Sequence, residues 1–314
     1  MLKDRLRTAA ILIVIVALLF YLDGNHSIPG GEGLWLLPLL MFFSLGTAFD
    51  ATGLLLNSGR AVSRAATLSA TALVTLSACV PLIWEAFGSI YPANCPVGRL
   101  GWIVLGSITG MFVILKNEMR TYGKGPPGAL ERTVHGVFVS QYVGLAMALL
   151  VALRDLGSGN WGLAALLTTI AVTKSADAGA YFTGKSIGRN KLIPRLSPGK
   201  TWEGAAGGIV TATIVAFICL RWLFPAVQGT GSPPLATPSI GLLRHPVWGS
   251  VVLGPLLAVS GIVGDLAESL VKRECSAKDS GKWLPGLGGV WDVTDSLIAA
   301  VLPAFLCFAA GVAG

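Results

Sequence analysis

Long apolar runs separated by short charged segments dominate this chain of 314 residues. A membrane-spanning helix needs about 17–25 mostly apolar residues, because the hydrocarbon core of a bilayer is about 30 Å thick. We predict spans at about residues 8–22, 34–56, 65–88, 100–115, 133–153, 161–182, 204–224, 247–268 and 290–313. The pattern therefore predicts an all-α, polytopic integral membrane protein with about nine transmembrane helices.

The basic residues between these spans indicate a topology. If the N-terminus is cytoplasmic, 19 of the 23 lysines and arginines fall in inside segments. Cytoplasmic loops of membrane proteins carry such an excess of Lys and Arg. We therefore expect the N-terminus inside and the C-terminus outside. The net charge of +7 is then explained by topology and gives no reason to expect nucleic acid as a partner.

Composition narrows the class of protein and the kind of metal site. The chain is 53% hydrophobic, with a mean hydropathy of +0.71, which excludes an ordinary soluble domain. The five cysteines are scattered and form no C-x-x-C, and the three histidines lie far apart. This pattern supports neither a disulfide framework nor a zinc site. Any metal is therefore expected to have oxygen ligands.

Charge is concentrated between residues 264 and 295, where ten of thirty-two residues are charged. Asp265 and Glu268 close one apolar run, and Asp292 and Asp295 open the next. Each pair is spaced i, i+3, so both of its carboxylates share one face of a helix. Lysines and an arginine lie between the pairs. Carboxylates and cations in this arrangement suit a magnesium ion that holds a polyphosphate.

A second charged stretch covers residues 174–204. Asp177 falls within an apolar run, where a charged side chain costs about 2.5–3.5 kcal/mol on insertion scales. It should therefore be paired or functional, and Lys174 is its nearest candidate partner. Residues 197–201, Ser-Pro-Gly-Lys-Thr, have the composition of an anion-binding turn, although the P-loop spacing is absent.

These stretches contain ordered motifs. The stretch of residues 174–204 holds Asp177-x-x-Ala180-Tyr181-x-x-Gly184 and Ser197-Pro198-x-Lys200-Thr201-x-Glu203-Gly204. The stretch of residues 264–295 holds Ser269-x-x-Lys272-Arg273-x4-Lys278-Asp279 and then Pro285-Gly286-x-Gly288-Gly289-x-x-Asp292-x-x-Asp295. Together they resemble the signature of the phosphatidate cytidylyltransferases, the integral-membrane CDP-diacylglycerol synthases. The chain departs from it at two positions, where the family has His for Leu287 and Arg for Val293.

The resemblance implies a reaction and its participants. CTP and phosphatidate would give CDP-diacylglycerol and pyrophosphate in phospholipid biosynthesis, with Mg²⁺ as cofactor. The expected partners are CTP, phosphatidate and the lipid bilayer, and homodimer formation is left open. We expect an integral protein of the bacterial inner (plasma) membrane, with its active site facing the cytoplasm. Residues 1–314 would form one membrane domain, in which 1–115 supply N-terminal spans and 116–314 the catalytic part.

Motif and charge pattern together assign roles to individual residues. The expected catalytic residues are Asp265, Lys272, Arg273, Lys278, Asp279 and Asp292, with magnesium at Asp265 and Asp292. The expected substrate-binding residues are Asp177, Ser197, Lys200, Thr201, Glu203, Gly288, Gly289 and Asp295.

Several of these features also have ordinary structural interpretations. Glu268 could serve only to pair with Lys272 at i, i+4. The glycines of residues 285–289 could simply form a tight turn. Trp283 and Trp291 fit interfacial anchors better than base-stacking residues.

Three other functions stay open at the level of sequence. A CTP-dependent polyprenol or phytol kinase would move a phosphoryl group instead of a cytidylyl group. A transporter would use intramembrane charges, although here they gather at one face of the membrane and not at its midplane. A catalytically inactive paralogue would retain only the fold.

Overall fold

The computed structural model describes residues 2–27, 31–92, 94–124, 127–234 and 240–313, with side chains from residue 6 onward. In these ranges nearly all of the regular secondary structure is helical. The α-helices are α1 (Leu2–Asn25), α2 (Leu37–Asn57), α3 (Arg64–Ser77), α4 (Val80–Ala86), α5 (Gly98–Thr121), α6 (Ala129–Arg154), α7 (Trp161–Ile187), α8 (Trp202–Ile218), α9 (Phe224–Gln228), α10 (Pro246–Glu274) and α11 (Trp291–Ala309). Short 3₁₀ turns at Leu34–Leu36 and Gly241–Arg244 precede α2 and α10, and a π-helical turn at Cys219–Leu223 joins α8 to α9.

The all-α polytopic membrane class is confirmed, but the count of nine spans is not. Within the described ranges, seven helices are long and apolar enough to cross a membrane, and the bent pair α3–α4 would make eight. The pair bends by 56° because Pro81, in the first turn of α4, cannot donate the backbone hydrogen bond that would continue α3. α7 has 27 residues but is not one of the seven, because Lys174 and Asp177 interrupt its apolar run.

The one sheet among the described residues is a hairpin between α7 and α8. Strand β1 (Lys191–Ile193) pairs antiparallel with β2 (Ser197–Thr201), with Lys191 opposite Thr201. Residues 197–201, predicted as a turn, are therefore an extended strand. Thr201 then caps α8, because its Oγ1 accepts a hydrogen bond from the Gly204 N–H at 3.0 Å.

The chain divides into two compact units. Unit 1 comprises Met1–Ala152 with Lys272–Thr294, and unit 2 comprises Leu153–Val271 with Asp295–Gly314. α10 and α11 each contribute residues to both units. The expectation of one membrane domain with a catalytic part from residue 116 stays a prediction.

Small residues allow the helices of unit 1 to pack closely. Ala66 and Ala70 of α3 and Ile114 of α5 form a buried core cluster. At Gly110 of α5, a Cβ would lie 3.1 Å from Val74 Cγ2, so a larger side chain would push the two helices apart. Close approach through small residues is the usual way in which helices associate in a membrane, where lipid removes the hydrophobic driving force.

Unit 2 is built on the α7–α8 pair and an aromatic cluster. A Cβ at Gly208 of α8 would lie 3.0 Å from the Ala176 carbonyl oxygen, so glycine sets the distance between these helices. Away from the charged end of α7, the rings of Trp161, Phe224 and Phe308 lie with centroids 5.4–6.0 Å apart. This packing holds the start of α7 against α9 and the end of α11.

Candidate active site

α10 and α11 carry four of the six predicted catalytic residues. α10 continues to Glu274, beyond the apolar run predicted to end at residue 268, so Asp265 lies inside the helix and not at its end. Lys272 and Arg273 occupy the last turn of α10, where cations interact favourably with the helix dipole. Asp292 lies in the first turn of α11. These residues belong to two polar clusters, one in each unit.

The cluster of unit 2 contains three carboxylates, which we name the acidic cluster: Asp265, Glu268 and Asp295. One carboxylate oxygen from each lies within 4.8 Å of those of the other two. Glu268 and Asp295 are buried, and Asp265 is half-buried. Hard divalent cations such as Mg²⁺ prefer oxygen ligands of this kind. The donor set therefore fits a divalent cation.

Glycines on α10 bring the acidic cluster together. A Cβ at Gly264 would lie 2.9 Å from Ala299 Cβ, and one at Gly261 would lie 3.5 Å from Ser296 Cβ. Within unit 2 the two helix backbones therefore approach closely along this face. Asp265 and Asp295, which are thirty residues apart in sequence, meet because of that approach.

A lysine from β2 reaches the acidic cluster. Lys200 Nζ lies 2.7 Å from Asp265 Oδ2 and donates a hydrogen bond to the Ile262 carbonyl oxygen at 3.2 Å. The strand conformation of residues 197–201 extends this side chain toward α10. Two predicted site residues from the two charged stretches of the sequence thus form an ion pair.

A second lysine lies in the same unit, within α7. Lys174 Nζ lies 3.5 Å from Asp177 Oδ2, so the partner expected for this aspartate is confirmed. Ser296 connects them further, since it accepts from Lys174 Nζ at 2.8 Å and donates to Asp177 Oδ2 at 2.9 Å. The Ser296 N–H also donates to Asp295 Oδ1 at 2.6 Å. Ser296 therefore joins Asp177 to the acidic cluster.

The cluster of unit 1 is centred on Asp292. Its Oδ1 accepts a hydrogen bond from Lys272 Nζ at 2.8 Å. Its Oδ2 accepts from Ser280 Oγ at 2.8 Å, from the Ser280 N–H at 3.0 Å and from the Gly289 N–H at 2.7 Å. Four donors therefore fix the orientation of this carboxylate. Both Lys272 and Asp292 are largely shielded from solvent, with side-chain exposures of 11% and 14%.

The glycines before α11 are required by the path of the backbone. Gly288 has φ +98°, and a Cβ there would lie 2.6 Å from Asp292 Oδ2. A Cβ at Gly289 would lie 2.6 Å from the Gly281 nitrogen. These positions exclude side chains because the loop folds closely around the aspartate. Nucleotide contact by Gly288 and Gly289 stays a prediction.

Other predicted residues lie at the surface of unit 1. Arg273 donates to the Ala277 carbonyl oxygen at 3.1 Å, and the side chains of Lys278 and Asp279 are exposed. Exposed cations at this position can reach a ligand in solution. Their catalytic roles stay predictions.

The two tryptophans of this region differ. Trp283 is 60% exposed and lies edge-on to Phe49 at 5.4 Å. Trp291 is 1% exposed and faces Tyr142 at 5.9 Å. The interpretation of Trp291 as an interfacial anchor is therefore wrong, because its ring is buried in the protein.

Glu203 holds the start of the hairpin. Its carboxylate accepts hydrogen bonds from the Arg189 N–H at 3.1 Å, the Asn190 N–H at 3.2 Å and Asn190 Nδ2 at 2.7 Å. It thereby fixes the chain between α7 and β1. Substrate contact by Glu203, and by Ser197 on the half-buried side of β2, stays a prediction.

Sequence reasoning missed three polar residues of these clusters: Ser280, Ser296 and Asp50. Asp50 of α2 accepts hydrogen bonds from backbone groups at the start of α11. The serines are adjacent to predicted residues, so proximity to a motif aspartate could have indicated them. Asp50 lies about 240 residues from its partners, and its only sequence signal is a carboxylate within an apolar run.

Comparison with known proteins identifies a family to which the chain is similar. A protein-family model described as "Cytidylyltransferase family" matches residues 3–310. A phosphatidate cytidylyltransferase of Brucella suis biovar 1 is 36% identical over 199 residues, 63% of this chain and 62% of that protein. That of Haemophilus influenzae is 40% identical over 140 residues, 45% of this chain and 44% of its own. The phosphatidate cytidylyltransferase of Bacillus subtilis is 41% identical over 167 residues, which are 53% of this chain and 54% of that protein. The chain thus spans between 44% and 62% of the length of these curated relatives.

We expect Glu203→Ala to loosen the chain between α7 and β1, because three donors lose a charged acceptor. Tryptic cleavage after Arg189 or Lys191 in detergent micelles should accelerate by about tenfold or more. Glu203→Gln, which keeps an oxygen acceptor, should accelerate it less. Glu85→Ala, which removes an exposed ion pair with Arg99, is the matched control and should leave the cleavage rate unchanged. Equal cleavage rates in Glu203→Ala and the wild type would contradict this role.

Proposed function

Because the chain belongs to the cytidylyltransferase family, we propose that it is a phosphatidate cytidylyltransferase. It would join CTP and phosphatidate to give CDP-diacylglycerol and pyrophosphate. The observation that carries the proposal is the pairing of predicted catalytic carboxylates with lysines of the motifs, Asp265 with Lys200 and Asp292 with Lys272. The relatives named phosphatidate cytidylyltransferase support the choice of substrates.

The location of the clusters suits two substrates of opposite polarity. CTP is a soluble polyphosphate, whereas the phosphate of phosphatidate lies at the headgroup level of the bilayer. The charged end of α10 and the start of α11 adjoin long apolar segments of the same helices. Polar groups at such positions can meet both substrates. The excess of Lys and Arg in the segments predicted as inside supports a site that faces the cytoplasm of a bacterial inner membrane.

Magnesium is the metal that we propose for the acidic cluster. Asp265, Glu268 and Asp295 would hold it. Asp292, which the sequence also predicts as a metal ligand, belongs to the cluster of unit 1. Mg²⁺ usually binds one or two carboxylates and keeps its remaining positions for phosphate oxygens and water. When bound, it would neutralise negative charge on the phosphates of CTP. Ser296 and Lys200 would orient the carboxylates through the hydrogen bonds that they make to Asp295 and Asp265.

The chemistry needs positioning and charge neutralisation more than proton transfer. An oxygen of the lipid phosphate would form a bond to the α-phosphorus of CTP, and the bond from that phosphorus to the bridging oxygen of the β-phosphate would break. A phosphate monoester is already ionised, so no strong general base is required. Lys200, Lys272 and the exposed Arg273 and Lys278 would bind phosphate oxygens. Such fixed cations stabilise charge that moves toward the departing pyrophosphate.

The direct test follows the phosphorus atoms of CTP. Purified protein in phosphatidate vesicles receives CTP labelled with ³²P at the α- or the γ-phosphate. We expect label in lipid from the α-phosphate only, because a cytidylyl group carries that phosphorus. Label in lipid from the γ-phosphate would instead identify a lipid kinase. No label from either would leave a transporter or an inactive paralogue and would contradict the proposal.

Removal of a carboxylate tests the magnesium site. Asp265→Asn and Asp295→Asn should each lower kcat by more than about 100-fold. Substitution of a residue that only hydrogen-bonds to a metal ligand typically costs about 10- to 100-fold. The double variant should be little worse than either single variant, because ligands of one ion act as a unit. Asp292→Asn should be as damaging as either. The rate is measured against Mg²⁺ concentration.

Glu85→Gln, in an exposed ion pair with Arg99, serves as the control for these variants and should keep wild-type activity. Near-full activity of Asp265→Asn at ordinary Mg²⁺ concentration would show that the acidic cluster does not hold the metal.

A further inference from the structure

α2 contains a buried carboxylate outside every motif of the chain. Asp50 is 3% exposed and lies within a helix that is apolar enough to span a membrane. A carboxylate at such a position is costly unless its oxygens accept hydrogen bonds, and it usually has a function. The motifs quoted above lie within residues 177–204 and 269–295, so none of them assigns Asp50 a role.

The partners of Asp50 are the first backbone groups of α11. Its Oδ2 accepts hydrogen bonds from the Val290 N–H at 2.6 Å and from the Trp291 N–H at 3.2 Å. The first N–H groups of a helix have no partner within the helix, and the helix dipole favours a negative charge there. Asp50 thus caps α11 from another helix.

The loop before α11 also folds against this carboxylate. A Cβ at Gly289 would lie 2.5 Å from Asp50 Oδ2, and one at Gly281 would lie 2.7 Å from Asp50 Cγ. Both positions therefore exclude a side chain. The segment of residues 281–289 therefore lies against Asp50 at its first residue, Gly281, and at its last residue, Gly289.

Asp50 and Asp292 share this short segment of backbone. Asp292 Oδ2 accepts from the Gly289 N–H, and Asp50 Oδ2 accepts from the next two N–H groups, of Val290 and Trp291. Ser280, which gives Asp292 two further hydrogen bonds, precedes Gly281 directly. Three consecutive N–H groups thus point at two carboxylates, one from α2 and one from α11. Movement of this segment would move the donors that orient Asp292.

We propose that Asp50 is a positioning residue for the transfer reaction, because it fixes the junction of residues 280–291 whose N–H and hydroxyl groups orient the Asp292 carboxylate. The role in the reaction rests on the proposed function, whereas the anchoring of the junction does not. Asp50 makes no contact with substrate in this account; it acts through Ser280, Gly289 and Asp292.

A matched control comes from the same face of α2. Thr47, one turn before Asp50, makes a buried hydrogen bond of 2.8 Å between its Oγ1 and that of Thr294 in α11. Thr47→Val removes a bond between α2 and α11 but touches neither the loop nor the first N–H groups of α11. A role in helix packing alone predicts similar effects of Thr47→Val and Asp50→Asn.

Hydrogen–deuterium exchange of the protein in detergent micelles tests the anchoring without any substrate. We expect the amides of residues 280–292 to exchange about tenfold faster in Asp50→Asn and about 100-fold faster in Asp50→Ala, which removes the acceptor entirely. Gly281→Ala, which pushes a methyl group toward the Asp50 carboxylate, should act in the same direction. Thr47→Val should lower Tm but leave exchange of this segment unchanged. Unchanged exchange in Asp50→Ala would overturn the proposal.

Kinetics then test the consequence for the reaction. Asp50→Asn should lower kcat/KM for CTP by about 10- to 100-fold, with KM for phosphatidate and the yield of folded protein near wild-type. Thr47→Val should keep both kinetic constants. Faster exchange with normal kinetics in Asp50→Asn would mean that Asp50 only packs the junction, which overturns a positioning role. If the wild type transfers no cytidylyl group, the proposed function fails, while exchange still decides whether Asp50 anchors the junction.

Discussion

A charge that this chain buries among its apolar helices must be paired or hydrogen-bonded by another part of the chain. Charged residues make up only 12% of the sequence, and an isolated charge in a bilayer is costly. The structure meets this constraint with lysine–carboxylate pairs: Lys174 with Asp177, Lys200 with Asp265 and Lys272 with Asp292. Each pair joins residues of one unit, and each includes at least one residue of the family motifs. The groups proposed to bind magnesium and phosphate are therefore also those that allow charge to exist at these helices.

The pairing also bears on the two departures from the family signature. Val293 provides no cation directly after Asp292, whereas Lys272, a residue of the signature itself, lies 2.8 Å from Asp292 Oδ1. Leu287 lies in a tight turn in which its N–H donates to the Leu284 carbonyl oxygen at 2.9 Å. The glycines around it keep a conformation in which Asp292 Oδ2 accepts three hydrogen bonds. The geometry of the aspartate thus persists without the histidine and the arginine.

Local patterns predicted much of this molecule, and contacts distant in sequence account for the rest. Apolar runs located the helices, and the i, i+3 spacing placed Asp265 beside Glu268. The bend at Pro81 and the extended strand of residues 197–201 were missed, because neither changes the hydropathy pattern. The approach of Asp295 to Asp265 depends on the glycines of α10, and the cap of α11 by Asp50 depends on how α2 packs. These contacts join residues that are far apart in the sequence, so no periodic pattern of residue types indicates them.

The requirement that buried charges be paired is tested most directly by the free energy of unfolding of variants that lack one or both charges of the Lys272–Asp292 pair. Lys272→Met, Asp292→Asn and the double variant are compared with the wild type by denaturation in mixed detergent micelles. Loss of one member of a buried pair typically costs about 3–5 kcal/mol, whereas loss of both costs far less than the sum. We therefore expect the double variant to be at least as stable as either single variant. Strictly additive losses would show that the two charges do not stabilise one another and would contradict this account.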